Sequence, residues 1–229
     1  MKKSVILSVA VLFALLFVSC TSTTKLQTFP QMYDERPVVM LIMPPINNSN
    51  NVEAKDYFYT TMNVPIAEAG YYVIPPATGM ATLQRESAYD SERFIEGDVS
   101  KFGKIFGADV AVFTIIKSWE KSLIGSAVII EIEYIFKSTK TNEIIYHRDA
   151  RITCDTSVNA SVSGLGLMGS LIKATADAIK TAVTDYVDVA VMCNRTGLSD
   201  IPFGKYHPDY DTDQTGAAMP VKISVSASK

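Results

Sequence analysis

The sequence predicts an α/β (α+β) domain, one mixed sheet with packed helices, and three observations support this. An apolar, β-branched run at 38–43 is followed by helical patterning and then by a second such run at 108–116, the alternation that builds layered α/β folds. Two further strand-like runs, 127–137 and 143–153, are separated by the five polar residues Ser138 to Asn142, which signals an antiparallel hairpin. A long alanine-rich stretch at 171–192 then repeats apolar residues at helical spacing. With 229 residues, the chain can bury one ordinary core plus appendages without a disulfide or metal scaffold.

Residues 1–19 form a signal. Lys2 and Lys3 precede the apolar stretch Val5 to Phe17, which is too short to cross about 30 Å of hydrocarbon comfortably. A basic start, a short apolar run and small residues after it are the parts of a secretory signal. Phe17-Val18-Ser19-Cys20 resembles the bacterial lipobox, with Phe17 standing where leucine is usual. That resemblance implies cleavage before Cys20 and lipidation of its sulfur, which places the protein on a lipid bilayer. Two or three acyl chains are enough for stable anchoring. Thr21 to Thr24 carry no aspartate after Cys20, which by resemblance to the usual sorting rule implies an outer-membrane location facing the periplasm. The stretch 20–37 is mostly polar, with Pro30 and Pro37, and reads as a lipidated tether.

The domain proper is expected over 38–193. Val38 to Met43 is a buried strand stopped by Pro44-Pro45, which cannot continue a ladder. Asn47 to Asn51 reads as a loop and helix start. Val52 to Ala69 is helical, but Pro65 cannot sit inside one helix, so two pieces should meet near Asn63. Gly70 stops the second piece before the short strand Tyr71 to Ile74. Helices are expected at 77–86 and 100–106, the latter ended by Gly107. In the hairpin, Val128, Ile130, Ile132, Tyr134 and Phe136 share one face, opposite Glu131, Glu133 and Lys137. In the long helix, Ile172, Ala176, Ile179, Val183, Val187 and Ala190 align on one face. Residues 194–229, rich in Gly, Pro and Asp, read as an irregular extension with a disordered end.

Chemistry is sparse. The 21 basic and 24 acidic residues give a net charge of −3, which argues against a nucleic acid partner. Two histidines and three cysteines leave little for metal sites or catalytic triads. Gly164 to Gly169 spells G-x-G-x-x-G, but it follows the last expected strand of the domain and Asp185 and Asp188 fall within the helix, so no dinucleotide site forms. Asp209, Asp211 and Asp213 alternate like the start of a calcium loop, but Gln214 and Pro220 occupy the positions that need glycine and glutamate. They read as a solvated acidic tail. Cofactors, metals and catalytic residues are therefore not expected. Once Cys20 is set aside, Cys154 and Cys193 remain, either bonded in a disulfide or buried as thiols. His147 and His207 lack an evident partner and read as structural.

Four stretches carry a family resemblance. They are Pro44 to Ser49, Pro65 to Pro75, Gly107 to Val112 and Ile201 to Pro208. Together they resemble the bacterial lipoproteins typified by a genome-derived neisserial antigen. The resemblance implies an envelope lipoprotein whose domain is similar to the N-terminal domain of TolB and the periplasmic domain of the curli-secretion lipoprotein CsgG. It also implies a CsgG-like partner and brings no catalytic residue. The resulting expectation is a non-enzymatic accessory or scaffold of an envelope assembly. The alternative is a binding module for a small molecule or cell-wall fragment. Within the last stretch, Phe203 and Tyr206 either strap the tail onto its own domain or anchor a partner.

Overall fold

In the computed structural model, the residues described are 23–122, 127–155 and 186–228. The sheet is mixed, as expected, and has seven strands. They are β1 (Val39–Ile42), β2 (Ile46–Asn47), β3 (Tyr72–Val73), β4 (Val110–Lys121), β5 (Ala127–Ser138), β6 (Ile144–Asp155) and β7 (Lys222–Ser228). The order is β3-β1-β4-β5-β6-β7, with β2 also paired to β4. Strand β1 runs parallel to β3 and β4, β5 runs antiparallel to β4 and β6, and β7 returns parallel to β6.

Helices cover the sheet on both faces. On one face lie α3 (Ala54–Thr61), α4 (Asn63–Glu68) and α8 (Tyr186–Gly197). Their Phe58, Met62, Ile66, Val189, Ala190 and Cys193 pack with Val112, Ile130, Ile132 and Tyr134 of the sheet. Each fully buried large apolar side chain contributes about 1.5–3 kcal/mol relative to exposure. On the other face lie α5 (Pro76–Arg85), α6 (Glu92–Ile95) and α7 (Ser100–Phe106), whose Leu83, Phe94 and Phe102 cover Leu41, Ala111, Phe113 and Ile135. The break between α3 and α4 falls at Met62-Asn63, with Pro65 in the first turn of α4, where its missing N–H costs no intrahelical bond. Gly70 and Gly107 end their helices with positive φ of 90° and 65°.

Several expectations are corrected. The stretch taken as a tether is folded from Thr23–Thr24 on, as α1 (Lys25–Thr28) and α2 (Pro30–Glu35). Thr24 and Gln27 form a capping box, and Phe29 and Met32 are buried. Burial of these two apolar residues outweighs the polar composition that suggested a flexible segment. The C-terminal extension is also not irregular to its end, because 222–228 adds an edge strand beside β6. Asn47, read as the start of a loop, instead joins Ile46 in a short parallel pairing to β4. Lys137 stays on the face opposite Phe136, with Ile135, but it is buried there because α6 covers this end of the strand. Its Nζ donates to the carbonyls of Ile95 at 2.8 Å and Gly97 at 2.6 Å, and burial holds its pKa below the usual lysine value. Of the helix expected over 171–192, residues 186–192 are described; the helix there is Tyr186–Gly197, which runs past the expected end, and Val187 is exposed while Val189, Ala190 and Cys193 face the core. The signal, Cys20 and the Gly164–Gly169 motif lie outside the described residues.

Candidate functional site

The topology creates a crevice at one end of the sheet. Leaving β1, the chain crosses to α3 on one face; leaving β3, it crosses to α5–α7 on the other. The loops diverge beyond the carboxyl ends of parallel strands, the place where open α/β sheets bind ligands. A cleft of about 430 Å³ opens there, with Pro44, Asn47, Ser49, Lys55, Asp90 and Glu92 in its lining. Its floor is stiff. The Asn47 side-chain oxygen accepts from the Ser49 hydroxyl at 2.7 Å and from its N–H at 3.1 Å, and its amide donates to Asn51 O at 2.7 Å. Across the cleft, Ser91 Oγ donates to Pro44 O at 2.6 Å. One ammonium, from Lys55 on α3, and two carboxylates, from Asp90 and from Glu92 at the start of α6, can bind a polar molecule by charge and hydrogen bonding. Among the described residues no histidine or cysteine lines the cleft, and no group of three or more metal-type ligands converges. Pro44 to Ser49 stood out in the sequence, whereas Lys55, Asp90 and Glu92 did not. The two prolines at a strand end were the available signal.

The residues of the tail form a strap against the domain. Ile201 is buried, and the Tyr71 hydroxyl donates to Pro202 O at 2.6 Å. Gly204 N–H donates to Ala69 O at 2.7 Å and Tyr206 N–H to Gly70 O at 2.9 Å. The structure separates the two aromatic candidates. Phe203 is half-buried, stacked on the His207 ring at 3.7 Å between centroids, with Lys25 Nζ 4.6 Å from its ring centre. Tyr206 is 64% exposed. Asp213 is no solvated tail residue, since it accepts from Phe203 N–H at 3.0 Å and pairs with Lys25 at 2.9 Å. Asp211 pairs instead with Arg36.

Two polar constellations were not legible in the sequence. Arg148 on β6 is fully buried, paired with Asp200 and donating to the carbonyls of Met219 and Pro220. It fixes the approach of the chain to β7. On the sheet surface, Lys117 bridges Glu133 at 2.8 Å and Asp149 at 3.1 Å, and His147 lies 2.7 Å from Glu133. Burial works against ionisation of Glu133, but the bonds from Lys117 and His147 outweigh it and lower its pKa. His147 thus has a carboxylate partner from the neighbouring strand. Cys154 and Cys193 are brought together, with sulfurs 3.4 Å apart and both side chains buried.

The sequence profile described as "Putative lipoprotein GNA1162-like" matches residues 28–201, which contain the crevice, the hairpin and the strap as far as Ile201. The lipoprotein NMB1124/NMB1162 of Neisseria meningitidis serogroup B (strain ATCC BAA-335 / MC58) is 24% identical over 154 residues, covering 66% of this chain and 70% of the relative. Among solved structures, lipoprotein GNA1162 from Neisseria meningitidis aligns with a TM-score of 0.47 at 23% identity, over 65% of this chain and all of the other. The C-terminal domain of LpoB from Salmonella enterica aligns with a TM-score of 0.36 at 12% identity, over 56% of this chain and 98% of the other. Because the profile match spans well over half of the sequence, the chain belongs to the GNA1162-like lipoprotein family.

Proposed function

We propose that this protein is a non-enzymatic, lipid-anchored accessory or scaffold of an envelope assembly, held at the outer membrane, facing the periplasm, with a CsgG-like lipoprotein as partner. The observation that carries this reading is the short stretch between Cys20 and the folded domain. Thr24 already caps α1 and pairs with Ala217, and Lys25 N–H donates to Gly216 O at 2.8 Å. At about 3.3–3.6 Å per residue, four residues reach roughly 15 Å at most. A lipidated Cys20 would therefore hold the domain against the bilayer, where it can engage membrane-proximal neighbours laterally. The exposed Tyr206 offers such a neighbour an aromatic contact.

The test is cross-linking in intact envelopes followed by purification of the lipidated protein. A specific envelope protein should be recovered, a CsgG-like lipoprotein first. Recovery of the lipidated protein alone would overturn the scaffold reading.

The polar crevice supports a second reading, a binding module for a small molecule or cell-wall fragment. Titration with muropeptides, monitored by calorimetry, tests it. Saturable binding lost in Lys55→Ala is the expected result, and no heat of binding to any fragment would refute it.

A further inference from the structure

The geometry points to Cys154 and Cys193 as a dithiol that closes to a disulfide, stapling the C-terminal helix to the sheet. Cys154 lies in β6, opposite Val128 of β5 and beside Ala227 of β7. Cys193 projects from α8. Their sulfurs are 3.4 Å apart, so reaching a bond of about 2.05 Å requires a relative shift of roughly 1.4 Å, shared by two side chains. Among the described residues no third metal-type ligand joins the pair, and its neighbours Val189 and Ala190 are apolar and buried.

The exchange needs an external oxidant, a disulfide compound of low molecular mass or of a thiol oxidoreductase. The Cys154 thiolate attacks one sulfur of that disulfide, forming a mixed disulfide and releasing one thiol. The Cys193 thiolate then attacks the Cys154 sulfur, forming the bridge and releasing the second thiol. The two cysteine protons end on the two released thiols, and the oxidant gains the two electrons the cysteines lose. The two cysteines can exchange roles in this sequence, because the oxidant meets them while they are apart and neither yet hydrogen-bonds the other. Both thiols have no exposed surface, so the oxidant reaches them before α8 docks, or when it lifts.

The bridge would join residues 39 apart in sequence and enclose 155–192, tying the connection between hairpin and tail to the sheet at both ends. Loop closure of that length restricts the unfolded chain appreciably. The oxidising compartment belongs to the envelope location proposed above, but the geometry does not depend on it.

The test is therefore made on the purified full chain. It is refolded with oxidised glutathione, denatured without reductant, alkylated and digested. The peptides containing Cys154 and Cys193 should appear joined, two hydrogens lighter than their sum. Reductant should lower the melting temperature by about 10 °C, and this dependence should vanish in Cys154→Ala/Cys193→Ala. Both cysteines alkylated, either joined to glutathione or Cys20, or an undiminished reductant effect in the double variant would each overturn the inference. None of these outcomes bears on membrane location, so failure here is distinct from failure of the envelope reading.

Discussion

Lys25 and Asp213, 188 residues apart in sequence, form a buried ion pair at 2.9 Å. Their side chains are 9% and 8% exposed, and the pair locks the first helix to the returning tail. Breaking a buried pair leaves one charge uncompensated, at a cost of about 3 kcal/mol. Asp213→Ala should therefore lower the melting temperature by about 6–12 °C. An unchanged melting curve would mean that the N-terminal helices do not dock in solution.

Two glycines make a matched pair for a backbone test. Gly70 has φ of 90°, and a Cβ there would lie 2.3 Å from His207 N and 2.8 Å from Gly204 O. Gly107 has φ of 65° with nothing within 4 Å of a Cβ. Gly107→Ala should cost about 1 kcal/mol through backbone strain alone. Gly70→Ala adds a backbone clash and should displace the strap, at a cost of more than about 3 kcal/mol. Urea unfolding of the two variants checks the ranking, and equal midpoints would contradict it.

Phe203 and Tyr206 should separate stability from partner binding. Phe203→Ala removes the ring held by His207 and Lys25 and should destabilise by about 1–3 kcal/mol. Tyr206→Ala, at an exposed position, should stay within about 0.5 kcal/mol in stability while weakening partner recovery from envelopes. If Tyr206→Ala melted early and captured normally, the assignment would be reversed.

Alkaline pH should unfold the domain through its tyrosines. Burial pushes the Tyr59 phenol up to about 12, above its ordinary value of about 10, and burial raises Tyr71 and Tyr134 as well. These groups stay neutral in the folded state while the unfolded chain ionises, so the unfolded state binds fewer protons above pH 10. Their contribution is complete below about pH 10 and is lost as pH rises toward about 12 for Tyr59. The tyrosinate absorbance contributed by the buried tyrosines and the circular dichroism should change together in that window. Full tyrosine ionisation near pH 10 in a still-folded protein would refute the prediction.

Cys20→Ala tests the anchor. The substituted protein should leave the membrane fraction or remain unprocessed, since no helix among the described residues is long and apolar enough to cross a bilayer. Membrane retention of a correctly cleaved variant would remove the lipid from the argument.

Much of the architecture was legible because its signals are local. The proline pair after β1, Pro65 in the first turn of α4, the helix-ending Gly70 and Gly107, and the polar turn of the β5–β6 hairpin all act on backbone geometry within a few residues. Val128, Ile130, Ile132, Tyr134 and Phe136 were assigned to the buried face because strand periodicity is fixed at two. The four family-bearing stretches were equally plain, and the profile match bears out the family they suggested.

Only the tertiary structure decided what depends on partners far along the chain. Lys25, Lys137, Arg148 and Asp213 look like surface residues in the sequence. They are buried because carboxylates or carbonyls from remote segments compensate their charge, and composition carries no information about such partners. The sequence posed Cys154 and Cys193 as a choice between bridge and separate thiols, and the packing of α8 on β6 set their spacing at 3.4 Å. The crevice belongs to this class too. Pro44 to Ser49 could be read directly, but Lys55, Asp90 and Glu92 join it only because consecutive crossovers take opposite faces of the sheet, and that relationship exists only once the strands are paired.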